Sequence, residues 1–208
     1  MLGLHLLKRR REDKPVNLKF LAWIAAAILV VFVLLRFFQW IDDTKRSLLP
    51  QTPGLAVLDD IDSLNAIVHL PTQTFGAELY AAGIYTSSTD EVPEGSIVAV
   101  YVKGNWRFVE IDYFPGMNST EYLATHIYPT QEVKLNEETP IWIQTLDDRP
   151  RCIDYEDDLP NRCEISRHLI ADLGERLLLI AADGDHPTDG ELIEMTRSIV
   201  SVDGQDSR

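Results

Sequence analysis

The chain is poor in the residues around which chemistry usually gathers. Cys152 and Cys163 are its two cysteines in 208 residues, and they make no C-x-x-C pair, the spacing of redox dithiols and half zinc sites. His69, His126, His168 and His186 are scattered, with no H-E-x-x-H spacing for a metal. No G-x-S-x-G elbow, phosphate loop or dinucleotide fingerprint is present, and nothing selects a serine–histidine–aspartate set. Basic residues are scarce after position 41. Residues 42–208 hold 12 of them against 31 acidic ones, a net −19 that repels phosphates and argues against nucleic acid as a partner. No internal repeat or low-complexity tract occurs. These absences predict a protein that is not an enzyme and carries neither cofactor nor metal.

What the chain does have is a long apolar run, Phe20 to Ile41, interrupted only by Arg36 and Gln39 among strongly apolar residues. As a helix it would extend roughly 33 Å, against a hydrocarbon core of about 30 Å. The expectation is a transmembrane helix over 20–41, with Arg36 reaching the headgroups and Trp40 at the interface. A buried core helix is the alternative. Residues 1–19 carry six basic and two acidic residues, including Lys8, Arg9, Arg10 and Arg11. The positive-inside rule then predicts a cytoplasmic basic segment (1–19) and an extracytoplasmic acidic domain, a single-pass protein of the plasma (inner) membrane. The run ends without a small-x-small cleavage site, so it reads as an uncleaved signal-anchor rather than a signal peptide.

Residues 42–64 read as a stalk and docking helix. Pro50 and Pro53 break the start, and Leu55, Leu58, Ile61 and Leu64 recur at helical spacing. Residues 65–200 suit one α+β domain, and 201–208 a disordered tail. Strands are expected at 66–70, 79–85, 132–135, 141–146, 164–170 and 176–182. The segment SIVAVYVKGNWRFVEID predicts a hairpin turning at Gly104-Asn105, type II′. A regular ladder from that turn pairs Lys103 with Trp106, Val100 with Val109 and Val98 with Ile111. One face would then be core (Val98, Val100, Val102, Val109, Ile111), and the other would present Tyr101, Trp106 and Phe108 as a face for a ligand or partner. Asn118 with Glu121 predicts a capped short helix. Thr188 with Glu191 forms a capping box before the apolar stripe of a C-terminal helix.

In an oxidising compartment Cys152 and Cys163 should pair and close a short loop. Within that loop Asp154, Glu156, Asp157 and Asp158 are candidate oxygen ligands for a hard cation, with a solvated acidic face as the simpler reading. Asp183, Asp185, Asp189, Glu191 and Glu194 follow an EF-hand count, but Pro187 and Thr188 stand where a ligand and then a glycine are required. That motif fails.

The order of hairpin VYVKGNWRFVEID, further strands and a closing LLLIAADGDHPTDGELIEMTRSIV resembles bacterial membrane-anchored extracytoplasmic domains of the lipoprotein-carrier and periplasmic sigma-regulator-like superfamily. Thr188, Glu191, Leu192, Ile193, Arg197, Ser198 and Ile199 carry the match. The resemblance implies a curved antiparallel sheet packed on helices that binds lipids or proteins. The combined expectation is an α+β fold: a single N-terminal transmembrane helix, then a curved antiparallel sheet packed with short helices and a C-terminal helix. Its function would be that of a membrane-tethered, non-catalytic interaction or accessory subunit, with the bilayer and a protein as partners. The second reading is a lipid or apolar-ligand binder using Tyr101, Trp106 and Phe108. The third is a cation-dependent hydrolase.

Overall fold

A computed structural model of the chain describes residues 23–37, 49–50, 52–58, 64, 67–89, 92–136, 139–153 and 160–206, the last six without their side chains. The chain divides into two units, Met1–Asp42 and Asp43–Arg208. In the first, helix α1 is described over residues 23–37, and its side chains are exposed along that stretch. Among the described residues no helix is long and apolar enough to cross a membrane. The expected transmembrane helix is corrected accordingly, and with it the signal-anchor, the single-pass topology, the plasma-membrane placement and the bilayer as partner. Lys8, Arg9, Arg10, Arg11 and Trp40 lie outside the described residues. The Arg36 guanidinium stacks 5.3 Å from the Phe32 ring centre, a cation–π contact.

The second unit is built on one eight-stranded antiparallel sheet. Its strands are β1 (Leu55–Val57), β2 (Glu78–Tyr85), β3 (Ile97–Lys103), β4 (Trp106–Pro115), β5 (Thr130–Lys134), β6 (Pro140–Thr145), β9 (Ile165–Leu173) and β10 (Arg176–Asp183). They run in the order β1-β2-β3-β4-β10-β9-β6-β5. A two-stranded ribbon, β7 (Cys152–Ile153) with β8 (Arg162–Cys163), stands apart. The sheet is open, with β1 and β5 as its edges, and is neither curved round nor closed. That corrects the curved sheet, while the mixed α+β class stands, with three helices.

Alternation along the strands gives the sheet two apolar faces. On one, Ile111 and Tyr113 of β4, Leu178 and Ile180 of β10 and Leu169 and Ala171 of β9 meet Leu192, Met195 and Ile199 of α3 (Asp189–Asp206). The capping box forms as expected: Thr188 N–H donates to Glu191 Oε2 at 2.7 Å, and Glu191 N–H to Thr188 Oγ1 at 3.3 Å. The other face carries Leu177, Leu179, Ile170 and Phe114, covered by Tyr122 of α2 (Ser119–Thr125). It continues as Val98, Val100 and Val102 with Ala81, Tyr85 and Leu49.

The local forecasts fail in three places. The strand expected at 66–70 does not form: residues 67–70 are a turn and irregular backbone, with the Ile67 and Val68 N–H groups donating back to the Leu64 carbonyl. Leu55–Val57, expected to begin a helix, is instead an edge strand paired with β2, because Gly54 turns the chain at φ +86° onto the backbone of Thr86. Residues 201–206, expected as tail, continue α3. The hairpin turn itself is as read, with Gly104 at φ +62° and Lys103 opposite Trp106. Beyond it the ladder departs from the regular one. Val102 faces Arg107 but Tyr101 faces Val109, so Phe108 is an extra residue, a β-bulge. Val100 therefore faces Glu110, and Val98 faces Asp112.

Candidate functional site

The bulge decides what lies beneath α2. It puts Glu110 and Asp112 on the α2 face beside Val98 and Val100, and returns Val109 and Ile111 to the α3 core. α2 is then fixed over this face from both ends. Asn118 Oδ1 caps it by accepting from Glu121 N–H at 2.9 Å. Ser119 donates twice to Asp172 of β9, through N–H at 2.7 Å and Oγ at 2.6 Å. One turn on, Tyr122 comes to lie over His168, four residues before Asp172 on the same strand. The Tyr122 hydroxyl and His168 Nδ1 are hydrogen-bonded at 3.1 Å, and the Tyr122 ring stacks on His126 at 4.0 Å. Gln144 of β6, fully buried opposite His168, donates to the His126 carbonyl at 2.7 Å.

Charge on this face is unbalanced. Arg107 Nε donates to Asp183 Oδ2 at 2.8 Å and its Nη1 to Glu110 Oε2 at 3.2 Å, all three side chains being nearly or fully buried. The Asp112 side chain makes no hydrogen bond among the described residues, although the residue is only 9% exposed. Asp183 Oδ1 is also unpartnered. Glu110 and Asp183 thus share the Arg107 guanidinium, Arg162 adds its charge at Asp183, and Asp112 bonds to neither. Burial pushes the Asp112 carboxyl well above the usual range, Glu110 adds to that and Arg107 opposes it. Burial likewise lifts Glu110 and Asp183, against the pull of Arg107. Burial also holds Tyr122 protonated, helped by Asp112, and lowers His168 to about 4, helped by His126.

Beside these groups lies a cavity of about 540 Å³, lined by Val92, Phe114, Met117, Glu121, Tyr122, Thr125, His126 and Leu179. Phe114 and Leu179 form its sheet side, and both adjoin Asp112: Phe114 is two residues on along β4, and Leu179 is its cross-strand partner on β10. The volume falls in the range of small-molecule sites, and the lining mixes apolar side chains with a few polar ones, as such sites do.

The residues singled out from sequence are distributed differently. Cys152 and Cys163 pair directly across β7 and β8 as a disulfide, as expected. A Cβ on Gly184 would lie 2.9 Å from Cys163 Sγ, so the bridge requires glycine there. Tyr101 and Phe108 are buried in the α3-side core, while Trp106 is 38% exposed at the turn. They form no shared surface, and Lys103 Nζ covers the Phe108 ring at 5.0 Å. The aromatic binding face is therefore overturned, and the reading of a lipid or apolar-ligand binder built on it goes too. The tethered-subunit reading falls with the spanning helix. Asp154, Glu156, Asp157 and Asp158 lie outside the described residues. Among the described residues no group of three or more histidine, cysteine, aspartate or glutamate side chains could hold a metal ion.

Glu110, Asp112, Arg107 and Tyr122 were not singled out, and His168 was weighed only as a metal ligand. A signal for the acid pair did exist, since both acids sit in an otherwise apolar strand opposite Val98 and Val100. It becomes readable only once the bulge is known. No protein-family model, curated protein or solved structure matches the chain.

Proposed function

We propose that the second unit is a small-molecule-binding domain, not an enzyme, and that its ligand occupies the cavity between α2 and the sheet. The observation that carries this reading is the cavity itself, about 540 Å³ with Phe114, Leu179, Val92 and Met117 as apolar lining and Tyr122, Thr125 and His126 as polar partners. Binding is favoured over turnover by the pair that Tyr122, in the wall, makes with His168 of β9. Tyr122 is held protonated and His168 is lowered to about 4, so proton transfer from phenol to imidazole is strongly uphill near neutrality. As a neutral group in the lining, Tyr122 orients a ligand and does not exchange its protons.

The protein carries its own reporters. Met117 lines the cavity, whereas Met195 is fully buried against the opposite face. In the full chain with ¹³C-methyl methionine, indole at millimolar concentration should shift the Met117 methyl signal and leave Met195 in place. Thr125→Trp, which fills the cavity, should abolish the shift. Failure of indole to move Met117, or an equal movement of both signals, would sink this reading.

A further inference from the structure

We infer that the ligand of this cavity carries an ammonium group that pairs with Asp112. The inference rests on the binding reading above and names the chemistry of that same site. Its basis is a carboxyl that the protein buries and leaves alone. Asp112 is about nine-tenths buried and its carboxyl has no hydrogen-bond donor among the described residues, while the Arg107 guanidinium is already shared by Asp183 and Glu110. An isolated buried carboxylate is costly unless an opposite charge reaches it. Position supplies the route. Asp112 stands between Phe114 along the strand and Leu179 across it, both of which line the cavity, and its charge acts on Tyr122 in the cavity wall. A second carboxylate, Glu121, lies in the same lining, and no lysine or arginine does. A cationic head would thus meet negative charge in the lining, at Glu121, and next to it on the sheet, at Asp112, with its apolar body against Phe114, Leu179 and Met117. An anionic head would find no counter-charge among these lining residues.

Three probes of one shape separate the possibilities: tryptamine, indole-3-ethanol and indole-3-acetate, which are cationic, neutral and anionic. Each is titrated into the full chain and followed by the Met117 methyl shift, with Met195 as internal control. Tryptamine should bind about tenfold more tightly than the alcohol, and the acetate most weakly. Asp112→Asn should bring tryptamine to the level of the alcohol, whereas Glu132→Gln, on the exposed edge strand β5, should preserve the preference. Equal binding of all three probes at Met117 would overturn the ammonium assignment and leave the cavity a binding site. A preference that survives Asp112→Asn would overturn the role of Asp112. No response of Met117 to any probe would overturn both readings. The wild-type comparison needs no variant, so a folding defect in Asp112→Asn would not blunt the test.

Discussion

The two faces of the sheet are made by the same strands and differ in kind. Under α3, alternate residues of β4, β9 and β10 are apolar and closely packed, and Leu192, Met195 and Ile199 close the layer from above. Under α2 the same strands present Glu110, Asp112, His168 and Asp183 among Leu177, Leu179 and Ile170. Burying apolar surface stabilises at about 25 cal/mol per Å², whereas each buried charged group must be compensated or it costs several kcal/mol. One face therefore supplies stability and the other draws on it. Groups that cost stability and sit beside a cavity mark the place where the fold departs from simple packing, and that is why we locate binding there.

The contrast can be broken most severely from the α3 side. Ile180→Ala removes a fully buried side chain from the apolar layer and should lower stability by about 3–4 kcal/mol in urea unfolding, with little dependence on pH. On the α2 face the expected effects depend on pH. Arg107→Met strips the shared cation from Glu110 and Asp183 and should cost about 3 kcal/mol at pH 7. Both carboxyls titrate higher in the folded chain than in the unfolded one, so the folded chain holds more protons and stability falls as pH rises from about 4. The Arg107→Met defect should therefore shrink as pH is lowered toward 4. A pH-independent loss would mean that the arginine acts through packing alone. The smallest effect is opposite in sign. Asp112→Asn removes a buried, unpaired charge and should raise stability at pH 7 by on the order of 1 kcal/mol, with the gain fading toward pH 4. A destabilised Asp112→Asn would place Asp112 in the framework of the fold and erase the distinction drawn between the faces.

Local signals were legible where a single short stretch decides the geometry. Gly104-Asn105 turns the hairpin, Asn118 caps α2, Thr188 with Glu191 opens α3, and two cysteines in one connection pair. The strands around 79–85, 141–146 and 176–182 were legible too, from their runs of branched and aromatic residues. What was hidden depends on distant partners. Nothing between residues 106 and 183 says that β10 inserts beside β4, which is what brings Asp183 to Arg107. Edge pairing with β2 overrides the helical spacing of Leu55, Leu58 and Leu64. The candidate site was missed for the same reason. Tyr122, His168 and Asp112 come from α2, β9 and β4, and only the fold makes them neighbours. The aromatic face failed through one assumption, that the ladder beyond Gly104 is regular.

That irregularity has an arithmetical consequence. Arg107 and Glu110 are three residues apart, an odd interval that in an even-paced strand sends two side chains to opposite sides. They meet because Phe108 is left out of the count. Parity, more than the identity of any side chain, decides that the acids lie on the α2 face and not in the dry layer beneath α3. In most strands the loss of one residue reverses every side chain that follows. Here the loss of Phe108 would leave Val102 opposite Arg107, Tyr101 opposite Val109 and Val100 opposite Glu110, with each side chain keeping its side. This hairpin can absorb a one-residue deletion at that position without changing what it shows to either side, and at its neighbours it cannot.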